Sequence, residues 1–195
     1  MTTIPTYLKA YNLVAALAWL SYLISWLASG FHFGSTQLFL LSIAQGMAVL
    51  EILHAATGWV KSPAGITAAQ VASRLLVLVL IHLLYAFSPM SSIAQYGISL
   101  VSVTWSITEI VRYSYYYLQL RQQEIKIVSW LRYSLFIVFY PMGITGEWLI
   151  FSAPLFQAEP HIPFYVWGYA VNAILYIALF PKLYGYMWKQ RQKKI

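Results

Sequence analysis

Within the stretch WLRYSLFIVFYPMGITGEWLIF, residues 130–151, a tyrosine and a glutamate stand seven positions apart, at Tyr140 and Glu147. The stretch is apolar and long enough to cross a bilayer, where an ionisable side chain is costly without a partner or a water-filled cavity. At roughly 100° per residue, positions seven apart share one stripe of a helix, so Tyr133, Tyr140 and Glu147 are expected on one face. No arginine lies within a helical turn of Glu147. A carboxyl without a cation in a dry site is suited to proton transfer near neutral pH, and a phenol two turns away can donate to an oxygen. Such a pair suits removal of a proton beside a carbonyl with loss of a neighbouring hydroxyl. The spacing alone is common in helices and does not establish a site. Pro141 cannot donate to the carbonyl of Ile137, while Gly143 and Gly146 let a second helix or a ligand approach the backbone.

The elements that must position this pair are read from composition and hydropathy. Of 195 residues, 61% are hydrophobic and 9% charged, and the mean hydropathy is +0.66. A soluble fold cannot hide so much apolar surface. Six apolar segments are each about long enough to cross a core of ~30 Å: residues 8–29, 37–57, 67–87, 92–118, 127–151 and 163–187. Turn formers separate them, among them Gly30 and Gly34, Ser62 to Gly65, Ser88 with Pro89, and Pro160 with Pro163. The expected fold is an all-α membrane protein, one bundle of six transmembrane helices over residues 1–195. No cleavable leader is read at the N-terminus.

Lysine and arginine are retained on the cytoplasmic side of a membrane, so charge sets the orientation. With a cytoplasmic N-terminus, Lys9, Lys61, the Arg121–Lys126 loop and the tail of Lys189, Arg191, Lys193 and Lys194 all fall on that side. The opposite loops, around His32, Pro89 and Glu159, contain neither lysine nor arginine. Both termini are therefore expected to be cytoplasmic. The net charge of +7 follows from topology, anionic lipid and attraction of an anionic substrate; no exposed basic domain for nucleic acid is formed.

Other ionisable residues in the spans are Glu51, His54, Arg74, His82, Glu109, Arg112 and Arg132. Glu109 and Arg112, three apart, can pair locally. Glu51 is expected to be held by Arg74 or Arg132 from a neighbouring helix. His54 follows Glu51 by three, half of a di-iron pattern whose second half is missing, so no metal is expected. His82 is expected to be a hydrogen-bonded core histidine, and the tyrosines 113, 115, 116 and 117 an interfacial belt. Absence of cysteine excludes disulfides and thiolate chemistry.

The segments EILHAATGWVKSP (51–63), WSITEIVRYSYYYL (105–118) and the stretch 130–151 resemble the signature regions of the very-long-chain 3-hydroxyacyl-CoA dehydratase family, once called protein-tyrosine-phosphatase-like proteins. The resemblance runs over nearly the whole chain in order and spacing. It implies a six-span protein of the endoplasmic reticulum, a hydro-lyase of the third step of fatty-acid elongation that converts a (3R)-3-hydroxyacyl-CoA to the trans-2-enoyl-CoA. It also implies a catalytic pair at the tyrosine of the YP-x-G motif and the glutamate seven later, Tyr140 and Glu147 here. No cofactor is implied. The CoA end of the substrate is expected near Lys61, Arg74, Arg112, Lys126, Arg132 and Tyr133. Tyr140 would then lie ~20 Å below the cytoplasmic surface at 1.5 Å per residue, a depth the pantetheine arm can cover. Expected partners are the other elongation enzymes: the ketoacyl-CoA synthase, ketoacyl-CoA reductase and enoyl-CoA reductase. The competing expectations are a membrane transporter, against which the lack of an inverted repeat stands, and an idle assembly protein of the elongation complex.

Overall fold

The computed structural model of the protein describes residues 3–87, 90–156 and 162–195. The expected loop positions Ser88, Pro89, Glu159 and Pro160 lie outside them. Among the described residues there are helices and no strand: α1 (Thr3–Ala28), α2 (Ser35–Gly46), α3 (Val49–Ala56), α4 (Ala64–Phe87), α5 (Ser92–Leu120), α6 (Lys126–Ser134), α7 (Phe136–Ser152), a 3-10 turn (Ala153–Phe156) and α8 (Ile162–Lys194). Four stretches of the described residues are long and apolar enough to cross a membrane: Ile4–Ala28, Ser35–Ala56, Ala64–Phe87 and Phe136–Leu155. Leucines and isoleucines such as Leu13, Leu17, Ile24, Leu76 and Ile177 point outward. An outer shell of that kind suits lipid and marks a membrane protein.

Two of the expected segments are each broken into two helices. Residues 37–57 become α2 and α3, joined at Met47 and Ala48, where the backbone bonds tighten to a three-residue step (Ala48 N–H to Gln45, Leu50 N–H to Met47). Residues 127–151 become α6 and α7, joined at Leu135. Pro141 does not end α7. The carbonyl of Ile137, which a proline four residues on cannot serve, accepts instead from the Tyr184 hydroxyl at 3.4 Å. The last helix runs further than expected, to Lys194. Lys and Arg are good helix formers, and cations favour the negative end of a helix dipole.

Helices α1, α3 and α5 end alike. The residue after the last turn has positive φ (Gly30, Gly58 and Gln122), and the next N–H reaches back five residues: Phe31 to Trp26, Trp59 to His54, Gln123 to Leu118. This arrangement satisfies carbonyls that a helix end leaves open and turns the chain sharply.

The core lies between α1, α2, α4, α5 and α7, around Trp19, Tyr22, Leu41, Ile81, Ile98, Val101 and Ile150. Along α1 and α5, Tyr22 and Ser102 hydroxyls bond at 2.5 Å, and the Tyr11 and Tyr113 rings meet edge to face 5.9 Å apart. Helices α5 and α7 approach until backbone touches backbone. A Cβ on Gly97 would stand 2.7 Å from the Gly146 carbonyl oxygen, and one on Gly146 would stand 2.8 Å from that of Gly97. Only glycine fits at either position.

Candidate active site

Three helices contribute to a buried charge cluster. The Arg112 guanidinium, on α5, forks onto Glu51 of α3 at 2.7 and 2.6 Å and also binds Glu109, one turn back, at 2.8 and 2.5 Å. Arg74 of α4 closes the set, donating to the other Glu109 oxygen at 2.6 Å. Tyr113 donates to Glu51. Two cations and two anions cancel, which is the condition for burying charge in a low-dielectric interior. The expected Glu109–Arg112 pair is present. The partner of Glu51 is neither Arg74 nor Arg132 but Arg112, because the tightened turn at Met47 and Ala48 re-aims α3 and the planar guanidinium can serve two carboxylates at once.

Further expectations change in the same region. Tyr113 and Tyr115 are buried, so the tyrosine run is not wholly an interfacial belt. His82 is hydrogen-bonded, to Ser42 at 3.2 Å and to the Leu78 carbonyl oxygen at 2.9 Å, but it is exposed on α4 rather than in the core. Among the described histidines His54 is the buried one; it bonds the Tyr7 hydroxyl at 3.1 Å and stacks on Trp59.

Glu147 lies one residue beyond the Gly97–Gly146 contact and is buried. Its Oε2 accepts from the hydroxyl of Tyr176, on α8. The Trp105 indole of α5 and, at longer range, the Arg74 guanidinium also interact with its carboxyl. Arg74 itself lies 5.0 Å from the centre of the Trp105 ring, so one tryptophan stands between the charge cluster and Glu147. Tyr140 stacks on Phe180 (5.3 Å, 4° between planes) and on Tyr184 (6.3 Å, 20°), both on α8. Glu147 interacts electrostatically with Tyr140, and so does Tyr176. The phenol and the carboxyl expected to work together thus both look toward α8.

Tyr133 is not with them. Its hydroxyl meets that of Tyr115 on α5 at 3.2 Å, since the joint at Leu135 breaks the helical register that would have put it on the Tyr140 stripe. Arg132 lies over the rings of Tyr116 and Tyr133, at 5.8 and 5.9 Å, and reaches the Tyr116 hydroxyl at 3.4 Å. Lys61, in the connection before α4, and Lys126, at the start of α6, are exposed. Of the six residues expected at the CoA end, Arg74 and Arg112 are engaged with carboxylates, and the other four lie outside the charge cluster. The expectation missed Tyr176, Phe180, Tyr184 and Trp105. The first three recur every four residues along α8, a one-face stripe that was readable as such.

The residue pattern of the family described as protein tyrosine phosphatase-like protein, PTPLA, matches residues 45–195. This chain belongs to that family. Among the relatives of this PTPLA-family chain, the very-long-chain (3R)-3-hydroxyacyl-CoA dehydratase hpo-8 of Caenorhabditis elegans is 38% identical, covering 98% of this chain and 95% of that protein. Very-long-chain (3R)-3-hydroxyacyl-CoA dehydratase 2 of Mus musculus is 36% identical over 96% of this chain and 80% of its own length. A probable very-long-chain (3R)-3-hydroxyacyl-CoA dehydratase of Schizosaccharomyces pombe is 32% identical, over 96% and 91%. No solved structure matches the chain significantly. This PTPLA-family chain contains no cysteine, so the phosphatase of the family's label cannot mean a thiolate nucleophile here.

Proposed function

We propose that the protein dehydrates very-long-chain (3R)-3-hydroxyacyl-CoA to the trans-2-enoyl-CoA, the third step of fatty-acid elongation, with Glu147 and Tyr140 as the catalytic pair. The observation that carries this reading is the placement of both groups toward one helix, α8, with the carboxyl held by a neutral donor rather than an arginine. In the step, the Glu147 carboxylate takes the C2 proton, and that C–H electron pair becomes the C2=C3 bond. The C3–O bond breaks, and the hydroxyl leaves as water with the proton of the Tyr140 phenol. Glu147 returns its proton to the phenolate, which resets both groups.

The same reading has α5 and α8 cross the membrane along with the four apolar stretches, giving six spans with both termini in the cytoplasm. Helix α5 has 29 residues and α8 has 33, lengths of ~43 and ~50 Å. The cancelled charges on α5 lower the penalty of placing it there. The enzyme resides in the endoplasmic reticulum beside the other elongation enzymes. The nucleotide end of CoA lies at the cytoplasmic rim near Lys61, Lys126, Arg132 and Tyr133, with the acyl chain among apolar helices.

The test is turnover by the purified protein. Tyr140→Phe and Glu147→Gln are each expected to lower kcat by about 10²–10⁴-fold while the protein still purifies as a folded species. Wild-type turnover in either variant removes the assignment.

A further inference from the structure

Glu51, Glu109 and Glu147 are the acidic side chains of the helical interior among the described residues, and they are held in different ways. Glu51 and Glu109 take direct bonds from arginine. Glu147 takes its direct bond from a phenol, Tyr176, whose hydroxyl donates to Oε2. An arginine fork occupies a carboxylate with charge as well as geometry, which weakens it as a base. A phenol fixes the orientation and leaves the negative charge in place. The torsion that spins a carboxyl is broad and nearly two-fold, so a carboxyl without such an anchor presents either oxygen at a range of angles.

Helix α8 brings this donor as part of a set. Tyr176, Phe180 and Tyr184 lie at steps of four on one face. Tyr176 takes Glu147, while Phe180 and Tyr184 both stack with the Tyr140 ring and, 5.4 Å apart, with each other. One helical stripe therefore fixes both members of the pair, with the Trp105 indole approaching the Glu147 carboxyl from α5.

We infer that Tyr176 is a positioning residue for the dehydration: by holding Oε2 of Glu147 it turns Oε1 toward the C2 proton of the substrate. The inference rests on the reading of Glu147 as the base. Tyr176 acts through Glu147 and leaves substrate affinity to other groups.

The experiment uses the full chain, purified in detergent and assayed with a long-chain (3R)-3-hydroxyacyl-CoA, with rates expressed per mole of folded protein from size-exclusion chromatography. Tyr176→Phe is expected to lower kcat by about 10- to 100-fold, the scale of one hydrogen bond to a charged group. KM should stay within about twofold of wild type, as it does when a loss falls on the transition state alone. Tyr176→Met, similarly apolar and equally without a donor, is the second variant should the phenylalanine chain not fold, and it is held to the same outcome. A kcat within about twofold of wild type overturns the inference, and so does a rise in KM at unchanged kcat, which would put Tyr176 in contact with substrate. Glu147→Gln, measured alongside, separates the two layers. If it is inactive while the Tyr176 variants keep wild-type kcat, the positioning role falls and the reading of Glu147 as the base stands; if it is fully active, the reading of Glu147 as the base falls and the positioning role falls with it.

Discussion

The Tyr184 hydroxyl sits 3.4 Å from the Ile137 carbonyl oxygen, the acceptor that Pro141 leaves unserved. At the other broken segment Tyr11 of α1 adds a bond of 3.0 Å to the Met47 carbonyl, which also accepts from the Leu50 N–H. In a membrane no solvent is at hand to satisfy a freed carbonyl, so the Ile137 carbonyl depends on a neighbouring helix for its partner. This explains how a proline is tolerated one residue from the candidate catalytic phenol.

The two roles of Tyr184 can be separated. Tyr184→Phe keeps the ring against Tyr140 and Phe136 and removes only a long hydrogen bond. A stability loss of at most ~1 kcal/mol is expected, with kcat within about threefold. Tyr184→Ala removes the ring, and kcat is expected to fall at least ~10-fold as Tyr140 loses one of its stacking contacts. Thermal unfolding in detergent and turnover on the same samples check both.

The contact between α5 and α7 leaves no room for a methyl group. Gly146→Ala is expected to destabilise the protein by about 1–3 kcal/mol and to lower turnover by shifting Glu147, its neighbour in sequence. Gly97→Ala should destabilise by a similar amount. Gly185→Ala, where nothing lies within 4 Å of the added carbon, is the control and should leave both quantities near wild type. Melting curves of the three variants decide the matter.

Arg112 holds two carboxylates, of which Glu109 also has Arg74 while Glu51 bonds Arg112. Arg112→Ala strands buried charge and is expected to cost about 3–5 kcal/mol, seen as loss of folded protein on purification. Arg112→Lys keeps the charge but cannot reproduce a planar fork to Glu51 and a second pair of bonds to Glu109. Its yield should fall between those of wild type and the alanine variant.

If the nucleotide of CoA lies near Arg132 and Lys126, charge reversal there should act on binding alone. Arg132→Glu is expected to raise KM about 10-fold for an acyl-CoA and leave kcat unchanged. With the same acyl group on a short thiol that lacks the nucleotide, KM should not move. Comparing KM for the two thioesters checks the placement.

Much of the helical layout was legible, because an apolar run of twenty residues has few alternatives in a membrane. The motif around Tyr140 and Glu147 was legible too, and with it the family. What escaped were relations between helices. Periodicity places Glu109 and Arg112 together since they are three apart, yet it does not tell which arginine reaches Glu51, sixty-one positions from its partner. It likewise put Tyr133 on the Tyr140 stripe by assuming one unbroken helix, and the joint at Leu135 sends it to Tyr115 instead. The α8 residues went unnoticed because a tyrosine or phenylalanine in a span is ordinary until its opposite number is known.

Main chain against main chain at Gly97 and Gly146 makes a hinge-free seam. Longer side chains at a helix crossing can swing aside; here neither backbone can yield, so α5 and α7 are expected to tilt as one slab. Trp105 and Glu147, carried on opposite sides of that seam, are thereby expected to keep their spacing.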